Sequence, residues 1–227
     1  MPSIRVKICG LSTPGTLDAA LSAGADLVGF VHFPKSPRHV ALETARILSE
    51  QAEGRAERVV LLVDPDDALI DAALGAVDPD WIQLHGHETP ERVAAIRDRS
   101  GRPVMKALGV STRADLTAIA AHGAADRILL DAKPPPDAAL PGGNGLAFDW
   151  DLLAGLDLPA GTMLSGGLAP GNVAKALART GLRAVDVSSG VETRAGEKSP
   201  ERIAAFIAAV RAYEQGPISQ IDAFAAL

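Results

Sequence analysis

The chain has 227 residues, 47% hydrophobic and 22% charged, enough apolar material for one sizeable core, and no shift in composition divides it. Lys+Arg 22 against Asp+Glu 28 leaves a net charge of -6, which argues against nonspecific binding to nucleic acid or to anionic membrane surfaces, since both need accumulated positive charge. A single cysteine makes no intrachain disulfide, the N-terminus lacks a signal-like apolar region, and no apolar run reaches spanning length, so the expectation is a cytoplasmic protein in one domain over 1–227.

Read in chain order, short runs rich in aliphatic and β-branched residues recur: IRVKIC, LVGFVHF, RVVLLV, WIQLH, PVMKAL, RILLD, GTMLS and AVDVSS. Between them lie TLDAALSAGA, ALETARILSEQA, DDALIDAALGAV, TPERVAAIRDRSG, TRADLTAIAAHGA and NVAKALARTG, amphipathic or alanine-rich, several closing on the glycine that ends a helix. A short sixth helix is expected in FDWDLLAGL, and the proline- and glycine-rich stretch at 131–145 reads as a long loop. After a last helix, PERIAAFIAAVRAYEQ, a C-terminal extension at about 216–227 falls outside the repeat.

Strands joined by crossover helices are parallel, and eight such units in this length suit an α/β fold of the closed (β/α)8, or TIM, barrel type. A flavodoxin-like or Rossmann sheet is the alternative, but it usually needs fewer strands, and no GxGxxG follows the first run.

Strand residues of equal parity share a face. Arg5, Lys7 and Cys9 therefore point into the barrel while Ile4, Val6 and Ile8 pack under helices. The same alternation pairs Gln83 with His85, Leu129 with Asp131, and Asp186 with Ser188, each set ending at the C-terminal rim where barrel enzymes place their chemistry. Cys9 would need Lys7 or nearby amides to become a thiolate and act as a base. Asp131, partly away from water, would hold its proton and donate it as a general acid. Arg38 offers a planar fork that suits a carboxylate held bidentately.

Two glycine-bearing turns, LSGGLAPGNV and VDVSSGVE, follow the seventh and eighth strands, where barrels commonly bind phosphate through backbone amides. His32, His85 and His87 raise the question of a metal, as in metal-dependent sugar-phosphate epimerases. No HxH with matching carboxylates on successive strands supports one, so no metal is expected, and His85 and His87 are read as hydrogen-bonding a ligand or loop backbone.

These motifs together resemble the phosphoribosylanthranilate isomerase family of tryptophan biosynthesis: KICG at 7–10, GFVHFPKSPRHV at 29–40, IQLHG at 82–86, LLDAK at 129–133, GGNGLAFDW at 142–150, LSGGLAPGNV at 164–173 and VDVSSGVE at 185–192. The resemblance implies Cys9 as general base, Asp131 as general acid and Arg38 as a contact for the anthranilate carboxylate. It also implies phosphate at backbone groups around Gly166, Gly167, Ser189 and Gly190, with Asp186 and Ser188 near the sugar. The reaction it implies is an Amadori rearrangement of N-(5-phosphoribosyl)anthranilate with no cofactor. Related barrels that isomerise a histidine-pathway aminoaldose carry aspartate where Cys9 stands, which favours the tryptophan substrate. Where the family has GxKD, this chain has Gly196-Glu197-Lys198-Ser199-Pro200, and Ser199 is still expected to cap a helix beginning at Pro200. Other phosphosugar isomerases or epimerases, and a catalytically silent phosphosugar-binding barrel, are the alternatives. A monomer acting on a small molecule is expected.

Overall fold

The computed structural model describes residues 3–135, 140, 142, 143 and 145–216, so the expected C-terminal extension lies, from 217 on, outside the described residues. Eight parallel strands close in sequence order: β1 (Arg5–Cys9), β2 (Leu27–Val31), β3 (Glu57–Leu62), β4 (Trp81–Leu84), β5 (Val104–Val110), β6 (Arg127–Ala132), β7 (Met163–Leu164) and β8 (Ala184–Val187). The ring shuts where β8 meets β1, with Lys7 opposite Asp186.

The crossover helices form where caps and apolar faces agree. Thr13, Asp66, Thr89 and Ser199 each accept a hydrogen bond from a first-turn amide of α1 (Pro14–Ala23), α3 (Asp67–Val77), α4 (Pro90–Ser100) and α7 (Pro200–Gln215). Pro14, Pro90 and Pro200 open their helices where a missing N–H costs nothing. The remaining helices are α2 (Leu42–Ala52), α5 (Ala118–Ala121) and α6 (Val173–Thr180).

Two expected helices shrink. In the fifth crossover Asp115 folds back to accept from the amides and hydroxyls of both Ser111 and Thr112, tightening Arg113–Thr117 into a 3-10 turn ahead of the four-residue α5. In the sixth, Asp149 caps a 3-10 turn at Trp150–Leu153, and Gly155 and Pro159 follow too soon for it to lengthen. After β8 an unexpected antiparallel pair, β9 (Glu192–Arg194) and β10 (Glu197–Lys198), turns back over the rim.

The alternation read from the strands holds. Ile4, Val6 and Ile8 join the apolar layer between barrel and helices, while Leu27, Val59, Met105, Leu129 and Met163 fill the interior with Cys9, Val31 and Leu61 above them. At the lower end Glu57 pairs with Arg5 at 2.9 Å and accepts from the Trp81 indole at 2.8 Å, and the Arg127 guanidinium lies over the Trp81 ring. The interior is therefore plugged below and open only above. No helix among the described residues is long and apolar enough to cross a membrane.

One outward-facing residue breaks the apolar pattern. Lys106 of β5 is buried and donates to Glu88 at 2.7 Å and to the Gly86 carbonyl at 2.8 Å, while Glu88 also accepts from the amides of Asp64 and Gly86. This knot fixes the loop leaving β4. Removing one partner strands a buried charge, so Lys106→Ala is predicted to cost about 3–5 kcal/mol of stability, read from the urea midpoint at unchanged slope. An unmoved midpoint would show the knot to be dispensable.

Candidate active site

The upper mouth encloses about 760 Å³ of space, part of it open to solvent, and both Cys9 and Asp131 line it. They stand three strands apart around the ring, one at the end of β1 and the other near the end of β6. Arg38, Gln83, His85, Gly166, Gly167, Asp186, Ser188 and Ser189 line the same space, so most residues singled out in the sequence converge there. Lys7 and Gly190 do not.

Lys7 lies beneath the thiol with no exposed surface, its Nζ 2.7 Å from Asp186 Oδ1, and Ser165 donates to the other carboxylate oxygen at 3.1 Å. Burial alone would push the Lys7 ammonium down, but Asp186 and Cys9 beside it hold it above the ordinary lysine value. The thiol itself is pushed up by burial. Lys7 and Lys198 pull it back and Asp186 adds to the rise, leaving it above its usual value. Lys7 thus moderates the thiol without making it a resting thiolate, and it lies below the cavity, outside its lining.

Asp131 accepts the Ala132 amide on Oδ1 at 2.9 Å, and His85 Nε2 stands 3.2 Å from Oδ2. Gln83 Nε2 is 3.0 Å from His85 Nδ1, while Gln83 Oε1 is buried without a partner. With the amide so placed, a neutral His85 carries its proton on Nε2 and donates it to Asp131. Turning the amide over puts Oε1 on Nδ1–H and leaves Nε2 free to accept from a protonated Asp131. The trio accommodates either state of the carboxyl.

Arg38 departs from expectation in its pairing. Its fork is already closed on Glu192, Nε to Oε1 at 2.7 Å and Nη2 to Oε2 at 2.9 Å, with Nη2 also donating to the Gly143 carbonyl at 3.1 Å. A bidentate grip on a ligand carboxylate is therefore not on offer; Nη1 is the edge left. Glu192 also accepts from Lys198 at 2.6 Å, and Lys198 donates to the Ser188 carbonyl at 2.9 Å and hydroxyl at 3.0 Å. Burial works the other way, yet Arg38 and Lys198 hold the Glu192 carboxyl below the usual carboxylate range. Glu192 and Lys198 escaped the sequence reading, although Glu192 ended a motif and Lys198 stood just before the Ser199 cap. Their signal was a charged pair flanking a turn glycine, Gly196.

The two glycine turns meet over the rim. Gly166 adopts φ +81, and a Cβ there would sit 2.6 Å from the Ala132 amide nitrogen. A Cβ on Gly190 would collide with the Leu168 carbonyl oxygen, so its glycine serves the packing of the loop after β8 onto the loop after β7. Neither the Gly166 nor the Gly167 amide finds an acceptor among the described residues.

The histidines do not converge. His32 packs on His39 at 4.9 Å between ring centroids and pairs through Nδ1 with the Val40 carbonyl, and His87 is exposed beside Asp64. Among the described residues no group of three His, Cys, Asp or Glu side chains is placed to hold a metal ion.

A family model described as N-(5'phosphoribosyl)anthranilate (PRA) isomerase matches residues 6–209. The N-(5'-phosphoribosyl)anthranilate isomerase of Azorhizobium caulinodans is 67% identical over 213 residues, 93% of each chain. That of Rhodopseudomonas palustris is 58% identical over 214 residues, 94% of this chain and 98% of the relative. The crystal structure of phosphoribosyl anthranilate isomerase from Thermotoga maritima superposes with a TM-score of 0.83 at 36% identity, covering 92% of this chain and 99% of that one. A second crystal structure, of a phosphoribosyl anthranilate isomerase in complex with reduced 1-(o-carboxyphenylamino)-1-deoxyribulose 5-phosphate, gives 0.80 at 34% identity over the same shares. Matched over residues 6–209 by the family model and over 93% of its length by a relative 67% identical, the chain belongs to the N-(5'-phosphoribosyl)anthranilate isomerase family.

Proposed function

We propose that this mouth carries out the family's isomerisation, converting N-(5-phosphoribosyl)anthranilate to 1-(2-carboxyphenylamino)-1-deoxyribulose 5-phosphate. The observation that carries the reading is that Cys9 and Asp131 line one cavity together with the glycine turns after β7 and β8. Phosphate at the Gly166, Gly167 and Ser189 end and the anthranilate carboxylate at the Nη1 edge of Arg38 would stretch the ligand across the mouth, with the sugar between acid and base.

Asp131 gives its proton to the furanose ring oxygen as the C1–O bond breaks, and the nitrogen lone pair forms the C1=N iminium. The Cys9 thiolate then takes the proton from C2, and the electron pair moves through C1 to neutralise nitrogen, leaving an enolamine. Transfer of the enol proton to C1 yields the ketone. His85 steadies Asp131 in both of its states, and Asp186 stays committed to Lys7 and Ser165, beside the sugar. In this reading the enzyme is a monomer in the cytoplasm, working without a cofactor.

Cys9→Ala and Asp131→Asn are each predicted to lower kcat by roughly two to four orders of magnitude, with wild-type turnover unaffected by a chelator. Full activity in either variant would remove that residue from the chemistry. For Arg38→Ala the expected change is in KM, up by about ten- to a hundredfold with a smaller change in kcat, measured by initial rates; unchanged constants would void the carboxylate assignment.

The thiol's own reactivity follows from its environment. Because the group is held above its usual value, its thiolate fraction climbs about tenfold per pH unit through neutrality, and the rate of Cys9 alkylation in the substrate-free protein should rise in proportion from pH 6 to 8. An alkylation rate that is flat there would contradict the raised thiol.

A further inference from the structure

Lys198 takes no part in the reaction just described, yet it is buried behind Ser188, which lines the mouth. Its ammonium has three acceptors, Glu192 Oε1 at 2.6 Å, the Ser188 carbonyl at 2.9 Å and the Ser188 hydroxyl at 3.0 Å. The Ser188 hydroxyl passes its own proton to the Cys9 carbonyl at 3.1 Å. A continuous run of hydrogen bonds thus leads from β10 through the loop after β8 to the last residue of β1. Surface-type burial of a lysine would leave its head in water; here the head is drawn inward to Glu192 and to the serine that bonds the thiol-bearing strand.

We propose that Lys198 is a positioning residue for the base: bridging Glu192 and Ser188, it fixes the thiol-bearing end of β1 through the Ser188–Cys9 bond and supplies positive charge that favours the Cys9 thiolate. Its role in catalysis rests on the reading of Cys9 as base, but its action on the thiol does not. The groups that face Cys9 electrically are Lys7 on its own strand, Asp186 on β8 and Lys198 on β10, and those that face Lys198 are Glu192, Arg38 and Cys9. Lys7 is the stronger of the two cations toward the thiol, its pull opposed by Asp186 paired to it at 2.7 Å, and Lys198 supplies the second cation. Burial holds the Lys198 ammonium below the ordinary lysine value, while Glu192 and an ionised Cys9 pull it up. Linkage makes the effect mutual: whatever Lys198 does to the thiol, the thiol does to Lys198.

The chain's only cysteine makes the test direct. Alkylation of Cys9 by iodoacetamide, followed against pH on the substrate-free protein, gives the thiol's midpoint. Lys198→Met should raise that midpoint by about one pH unit and lower kcat at neutral pH more than it changes KM, whereas Lys198→Arg, which keeps the charge, should restore the midpoint. An unshifted midpoint in folded Lys198→Met would overturn the proposal. If the wild type alkylates and shifts as described but turns over no N-(5-phosphoribosyl)anthranilate, the isomerase reading fails and the thiol coupling stands. Should Lys198→Met not fold, NMR titration of the lysine ammonium in wild type and Cys9→Ser decides: the Lys198 midpoint must fall when the thiol is replaced, and an unmoved midpoint refutes the coupling.

Discussion

The ion pair between Lys7 and Asp186 sits where the barrel closes, both groups buried, 2.7 Å apart. Two unpaired charges there would be prohibitively costly, and pairing them requires β8 to lie beside β1 in one register, the register that sets Lys7 opposite Asp186. Shifting either strand by one residue would turn its charge outward into the apolar layer occupied by Val6 and Val185. The pair therefore does two things at once. It fixes the seam of the ring, and it leaves a nearly neutral floor beneath Cys9 on which a thiol is stable and a thiolate needs further support.

From that floor upward the mouth is built of compensated charges. Arg38, Glu192 and Lys198 form one cluster on the β8 side, and Asp131 with His85 and Gln83 forms another on the opposite wall. The first cluster pairs its charges internally, while the second leaves Gln83 Oε1 without a partner. Such an arrangement orients groups in advance, so that in the proposed reaction a ligand of fixed shape meets them without the protein having to reorganise. The glycine turns complete it by letting two loops touch where side chains would collide, as at Gly190 against Leu168.

Much of this was legible in the sequence because a strand alternates with period two: Lys7 and Cys9, Gln83 and His85, Asp186 and Ser188 had to share faces, and they do line or underlie one space. The start of the last helix was legible from Ser199, whose side chain accepts the Arg202 amide. What alternation does not carry is pairing at long range. Arg38 meets Glu192 across 154 positions, and nothing local to either segment announces it. Nor did the pattern show that Asp115 would draw in its own first turn and shorten the fifth helix, a competition between side-chain and backbone hydrogen bonding that only geometry settles. The β9–β10 turn was hidden for a related reason, being too short for periodicity to register, and it delivers Lys198 to Glu192 and Ser188.

The account stands or falls on the Cys9 sulfur. The most direct measurement is turnover of freshly generated N-(5-phosphoribosyl)anthranilate by wild-type protein before capping of its sole cysteine with methyl methanethiosulfonate, after capping, and after release of the cap by a reducing thiol. Conversion that is abolished by the cap and returns on reduction is the predicted result. Conversion that survives a fully capped sulfur, or its absence from the uncapped protein, would contradict it.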